Sequence, residues 1–304
     1  MKVNVIKKAQ LSGHSGSVYA LSKGRKENLF FSGSSDCFIA EWDFNKSESQ
    51  PFSIKTDAPI YSLQYIPEKD ILLAGNGNGG IHIISIKEKK ELKLIQNHSA
   101  PVFDIIYDLN LNCFITAGSD GLISINSLDD FTCKKIIHVS NFKVRNIALS
   151  PDKKTMAAAV GDCTIRLYET ENFKETRKIY AHNMSVNCVC FHPQNKYLLS
   201  GGKDAFLNIW DTENFGLTKS LPAHNFALYG ISFHPTENIF ATASRDKSIK
   251  IWDAEKIEVL AKLDTKNYGG HVNSVNRIFW SNYHNYLVST GDDKTIIIWE
   301  INIS

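Results

Sequence analysis

The chain lacks most of what would mark a secreted, membrane-spanning or nucleic-acid-binding protein. It has only six cysteines in 304 residues: Cys37, Cys113, Cys133, Cys163, Cys188 and Cys190. They are scattered, whereas disulfide frameworks belong mostly to small secreted domains, so reduced thiols are expected. The one close pair, Cys188 and Cys190, lies in the alternating run VNCVCF (186–191). Residues i and i+2 of a strand share a face, but no second pair with ligand spacing completes a metal site, and the two read as small buried strand residues. No apolar run approaches the roughly 18 residues of a membrane span, and the start MKVNVIKKAQLSGH lacks the apolar core of about 7–15 residues that a signal peptide carries. Neither charge sign dominates, with 34 basic and 32 acidic side chains and a net charge of +2, so composition gives no reason to expect a nucleic-acid partner. The lysine groups Lys7-Lys8, 87–90, Lys134-Lys135 and Lys153-Lys154 are short and dispersed, as on a solvated surface. There is no G-x-S-x-G, no P-loop and no His/Cys ligand spacing. These absences lead us to expect a cytoplasmic, intracellular protein that is not an enzyme, with no catalytic or metal residues, no cofactor and no membrane partner.

What the chain does contain is a period. With 43% apolar and 22% charged residues it has the composition of a folded protein, and a search for internal repeats precedes any element-by-element reading. AEWD (40–43), NIWD (208–211) and KIWD (250–253) place Trp42, Trp210 and Trp252 in one register of 42 residues. The same step lands on Ile84, Asn126 and Tyr168, and a last copy, IIWE, puts Trp299 47 residues after Trp252. Six residues before these markers stand Asp36, Asn78, Asp120, Asp162, Asp204, Asp246 and Asp293; three before stand Ile39, Ile81, Ile123, Ile165, Leu207, Ile249 and Ile296. Ten before come Ser32, Ala74, Thr116, Ala158, Ser200, Thr242 and Ser289, and twenty-eight before come His14, Thr56, His98, Ser140, His182, His224 and His271. Four residues after each of the last set is an apolar residue: Val18, Ile60, Val102, Val144, Val186, Leu228 and Val275.

These seven phased copies, each running from a His column to a Trp-Asp marker, resemble the WD40-repeat β-propeller family. The resemblance spans practically the whole chain and implies an all-β, seven-bladed propeller of four-stranded blades. Short apolar strands such as 186–191, 197–200 and 206–210, separated by His192-Pro193 and the turn 201–204, agree with it. The repeat accounts for residues 1–304 as a single domain, although length alone would allow two. Only residues 300–304 follow Trp299, too few to turn and add an outer strand, whereas 3–11 precede the first Gly13-His14 with no blade of their own. The resemblance implies that strand 3–11 completes the blade ending near 304, removing two sheet edges at once.

In the family the loop His, strand Ser/Thr, turn Asp and Trp form a structural hydrogen-bond network, since each buried polar group needs a partner. Four copies carry it whole: His14, Ser32, Asp36 and Trp42; His182, Ser200, Asp204 and Trp210; His224, Thr242, Asp246 and Trp252; His271, Ser289, Asp293 and Trp299. A constellation repeated four times is scaffolding and not a hydrolase triad. The second copy has lost it throughout, the fourth keeps fragments, and in the third Asn126 stands where the indole would be and is expected to donate to Thr116 in its place. Blades two to four are therefore expected to open first.

Function is expected on the narrow face, around the mouth of the central channel. The residue after each apolar column should project there: Tyr19, Tyr61, Phe103, Arg145, Asn187, Tyr229 and Asn276. Residues just before the turn Asp column, including Lys203 and Arg245, should point the same way. Aromatic and arginine side chains anchor protein interfaces, so a protein or peptide loop is the expected partner, with a cation over Tyr19, Tyr61 or Phe103 and an acid near Arg145, Lys203 and Arg245. The five extra residues of the last period fall in 264–270 and make Tyr268 a further contact candidate. The expected function is a non-catalytic scaffold or adaptor, monomeric as a propeller and able to serve as a subunit of a larger complex. The alternative is a catalytic or ligand-binding propeller with its site in the channel mouth.

Overall fold

The computed structural model describes residues 2–46 and 49–303, so positions 1, 47, 48 and 304 of the expected 1–304 span lie outside the described residues. Among the described residues the chain forms seven four-stranded antiparallel sheets and one single-turn α-helix. The fold is an all-β, seven-bladed β-propeller. The blades fall into two compact units, Met1–Ile60 with His224–Ser304 and Tyr61–Ala223.

The first unit holds blades one, six and seven. Blade one is Val18–Lys23, Leu29–Ser34, Phe38–Asp43 and Ser49–Lys55; blade six is Leu228–Phe233, Ile239–Ser244, Ile249–Asp253 and Glu258–Leu263. Blade seven takes Val275–Trp280, Leu287–Gly291 and Ile296–Ile303 from the end of the chain and Val3–Leu11 from its start. The register runs from Val3 opposite Ile303 to Leu11 opposite Ile296, with one irregularity between Lys7 and Ala9. Alternation drives this docking. Val5 joins the core around Ile301, Trp299 and Val275, and Leu11 is buried beside Trp42, Val288 and Ile298.

The second unit holds blades two to five. Their strands are Ile60–Ile66, Ile71–Asn76, Gly80–Ser85 and Lys90–Gln96; Val102–Asp108, Cys113–Gly118, Leu122–Ser127 and Cys133–His138; Val144–Leu149, Thr155–Val160, Thr164–Glu169 and Glu175–Tyr180; Val186–Phe191, Tyr197–Gly202, Phe206–Asp211 and Leu217–Pro222. Second and third strands are buried almost throughout while fourth strands are mostly exposed, which explains the gradient from continuous apolar runs to charged segments such as KELKLIQ.

Three side chains show how local sequence serves this frame. Glu41 occupies a column that is apolar in the other six blades and is fully buried; Arg25 bonds both its oxygens, Nε to Oε1 at 3.0 Å and Nη2 to Oε2 at 3.1 Å. A buried carboxylate without such a partner would be strongly destabilising. Gly121 ends a turn at φ 79°, and a Cβ there would stand 1.9 Å from the Ser140 carbonyl oxygen, so no other residue fits. In the lengthened period, residues 264–270 form a capped turn of helix, Thr265–Tyr268: Asp264 accepts from the Asn267 amide at 2.9 Å, and Gly269 closes it in the left-handed region.

Candidate protein-interaction surface

The polar columns assemble first, because they position everything else. In each complete copy the indole N–H donates to the Ser or Thr hydroxyl, the hydroxyl oxygen lies 2.7–2.9 Å from both the indole and the imidazole Nε2, and imidazole Nδ1 meets the Asp carboxylate at 2.9–3.0 Å. An indole can only donate, so the hydroxyl oxygen accepts from it and is left free to give its proton to Nε2, an arrangement in which Nδ1–H faces the carboxylate. Each histidine thus links a strand hydroxyl to a turn carboxylate. The carboxylate also accepts the amide of the residue after the histidine, for example Val272 to Asp293 at 2.9 Å. Burial alone would raise the Asp293 carboxyl, but His271, Thr295 and the Val272 amide outweigh it and hold the group at about 2. Asp246 is likewise held well below the usual range despite its burial, chiefly by His224. Burial lowers His224 itself, against the pull of Asp246.

Blades two to four use other links. Asn126 does not take the indole's role: its amide donates to the Ser124 carbonyl at 3.3 Å, and its oxygen accepts from Asn97 at 2.6 Å and from the Ser124 hydroxyl at 3.1 Å. The expectation that it donates to Thr116 is corrected: its amide N–H goes to Ser124 and Asn97 holds its oxygen. In blade two Asn76 accepts the turn amides of Asn78 and Gly80 at 3.0 and 2.8 Å and contacts His82 at 3.1 Å. In blade four Arg166 replaces the histidine as the partner of Asp162, at 2.9 Å.

Six of the seven residues expected to project after the apolar column are bulged residues. The ladder skips one position at Tyr19, Phe103, Arg145, Asn187, Tyr229 and Asn276, and a bulge of this kind re-aims a side chain at the end of a strand. The preceding-Asp column lies beside it in each blade: the Lys203 amide donates to Ser185 at 2.8 Å and the Arg245 amide to Ala227 at 2.9 Å.

In blades two to five these positions converge. Tyr61 and Phe103 meet at 5.7 Å between centroids, nearly perpendicular at 84°, and the Arg145 guanidinium sits 4.9 Å from the Phe103 centroid. Phe103, expected to receive a partner's cation, therefore already carries one from its own chain. Lys143, two residues before Arg145, is half-buried; burial first, then repulsion by Arg145 and Lys203, lowers its ammonium pKa. Neither Lys143 nor Lys203 is bonded to a carboxylate among the described residues. Beside them Phe142 is 57% and Met184 42% exposed. Gly161 allows this loop to close down, since a Cβ there would stand 3.1–3.3 Å from Lys143 and Phe142 atoms. Asn187 contributes little surface, being 5% exposed.

The remaining candidates lie in the other unit. Tyr19 and Tyr229 are half-buried and Arg245 is exposed. The Asn276 amide is committed to the Val18 carbonyl at 3.2 Å and to Asp292 at 2.8 Å. Tyr268 packs half-buried against the core around Val5 and Trp299, which makes it a structural contact in the chain itself.

Phe142, Lys143 and Met184 were missed by the sequence reading, although a signal existed. The residues preceding the seven apolar columns are Ser17, Pro59, Pro101, Lys143, Ser185, Ala227 and Ser274, and only Lys143 is charged. Among the described residues no three His, Cys, Asp or Glu side chains are grouped to hold a metal, and no helix is long and apolar enough to cross a membrane.

The chain matches the WD40 family, described as the WD domain, G-beta repeat, over residues 6–43, 131–169, 173–211, 215–253 and 263–300. Each matched stretch runs from an outer strand into the three strands that follow, and the unmatched span 44–130 carries the Ile84 and Asn126 replacements. No curated protein matches the chain. The five matched repeats cover more than half of the sequence, each straddling two adjacent blades: the chain belongs to the WD40-repeat family.

Proposed function

We propose that this protein is a non-catalytic interaction module, and that blades two to five hold a partner segment which sets an acidic group on Lys143 and Lys203 and apolar side chains on Phe142 and Met184. WD40 propellers commonly serve as protein-interaction scaffolds. The observation that carries the site is Lys143, a half-buried ammonium pressed by two other cations with no carboxylate bonded to it. Such a group gains most from an arriving anion, because the attraction acts where water is partly excluded. The exposed Phe142 and Met184 beside it supply apolar area, and exposed apolar groups rimmed by charge mark interaction surfaces. Arg145 and Phe103 hold each other and stiffen the floor of the site.

Affinity purification with the intact chain and with Phe142→Ser/Lys143→Glu tests the reading. Loss of one or more specific partners in the double variant, with its melting unchanged, is the expected result. An unchanged partner set would remove this surface from consideration.

A further inference from the structure

Because the period is 42 residues, blade five can be compared with blade four side chain by side chain. In blade four Arg166 spans from the turn to the outer strand: Nη2 bonds Asp162 at 2.9 Å, Nε donates to Thr164 at 3.0 Å, and Nη1 reaches Glu175 at 3.3 Å. One period later these positions are Asp204, Phe206, Asn208 and Leu217. The registers coincide, with Arg166 between Ala158 and Lys178 and Asn208 between Ser200 and Ser220. Asn208 is too short to make the span and turns to its neighbours, donating to the Ala181 carbonyl and accepting from Ser220, both at 2.6 Å. What remains is a groove of about 310 Å³ lined by Tyr180, Asp204, Phe206, Asn208, Leu217 and Ser220. That volume stands at the low end of ligand clefts, roughly 300 Å³ and upward, and suits one side chain rather than a whole ligand.

Other blades show what this position takes. Blade two places His82 there, facing Glu91 at 3.3 Å, and blade six places Lys250, 5.8 Å from the Trp252 ring centroid. In blades two, four and six a basic side chain fills the position, and in blades one, three and seven it is Ala40, Ser124 and Ile297; blade five joins a polar Asn208 and the turn carboxylate to an open groove. Asp204 is the acidic group of the groove, with His182 beside it at 3.0 Å. The apolar lining suits an aliphatic stem: Phe206 is 37%, Leu217 53% and Tyr180 78% exposed, and Lys178 lies over the Tyr180 ring at 5.1 Å from its centroid. Long cationic side chains bury their stems on such surfaces and present the head group to a carboxylate. Arginine matches better than lysine because its planar fork can bond Asp204 and the Asn208 and Ser220 oxygens together.

We propose that the groove on blade five is a receptor for an arginine side chain of a partner protein, whose guanidinium meets Asp204 alongside His182. This groove shares no lining residue with the Lys143 site, although Asn183 and Asp204 adjoin Met184 and Lys203 of that site in the chain.

The test is an amide-resolved NMR titration of the full chain with acetyl-Gly-Arg-Gly-amide and with the same peptide carrying citrulline, which keeps the shape and loses the charge. The amides of Phe206, Asn208 and Leu217 are expected to shift saturably with the arginine peptide, at least tenfold more tightly than with citrulline. Asn208→Arg, which supplies the guanidinium from within, should abolish the response. Leu217→Glu, which restores the acid of blade four, should tighten binding at least threefold and keeps the test decisive if Asn208→Arg does not fold. Equal responses to the two peptides, no saturable response of the intact chain, or no gain in Leu217→Glu would overturn the proposal.

Discussion

The guanidinium of Arg145 lies 4.9 Å from the centre of the Phe103 ring, so two residues that sequence columns place on neighbouring blades are partners within the chain. A cation over an aromatic face contributes about 0.5–1 kcal/mol at an exposed site. A double-mutant cycle with Phe103→Leu and Arg145→Met, read by denaturant unfolding, should give a coupling of that size. Additive effects would make the stacking incidental.

A Cβ on Gly13 would stand 3.2 Å from the Trp42 ring, and the residue before the loop histidine is Gly13, Ala181, Ala223 or Gly270 wherever the marker is tryptophan. Blade three pairs Asn97 with Asn126 instead. Asn126→Trp alone should therefore overpack the site and cost about 1–3 kcal/mol. Adding Asn97→Gly should recover most of that, as the new indole N–H reaches Thr116. Equal denaturation midpoints for the single and double variants would contradict the size rule.

Deleting residues 1–10 removes the strand that covers Ile296–Ile303 and empties the place of Val5 in the core. At roughly 2–4 °C per kcal/mol for a chain of this size, losing a strand and its buried valine should lower the melting temperature by about 10 °C or more. The uncovered edge should also promote association. Unchanged melting would mean that this pairing contributes nothing.

Acid should destabilise the fold in two stages. Burial holds His224 and His234 below the ordinary 6.5, so the unfolded chain takes up protons first and stability falls as pH drops through and below that value. Asp36, Asp204 and Asp293 are held below the ordinary 3.8, Asp293 at about 2. Their contribution is complete above that ordinary value and is lost as pH falls toward the folded-state values. Urea midpoints at pH 7.5, 5.5 and 3.5 should decline in that order; a higher midpoint at pH 5.5 than at 7.5 would be inconsistent with neutral buried histidines.

The blades, the closing strand and the four complete networks were legible because each depends on residue types at a fixed spacing. The network replacements were not, because their substitutes come from other columns. Asn76 stands two residues before the column whose role it takes over, and Arg166 two before its own marker. Likewise, the bulged positions could be named from the columns, but which of them face outward depends on packing: Asn187 is buried while Tyr19 is not. That Arg145 would turn onto Phe103 depends on distances between strands far apart in sequence.

Lys143 is the residue on which a partner's acidic group should depend most. Once a partner is captured by the intact chain, its affinity should be measured calorimetrically across a salt series for the intact protein and for Lys143→Glu/Lys203→Glu. The account predicts at least a tenfold loss in the variant and a salt dependence that is steep for the intact chain and nearly flat for the variant. Equal affinities with equal salt slopes would show that the partner binds elsewhere.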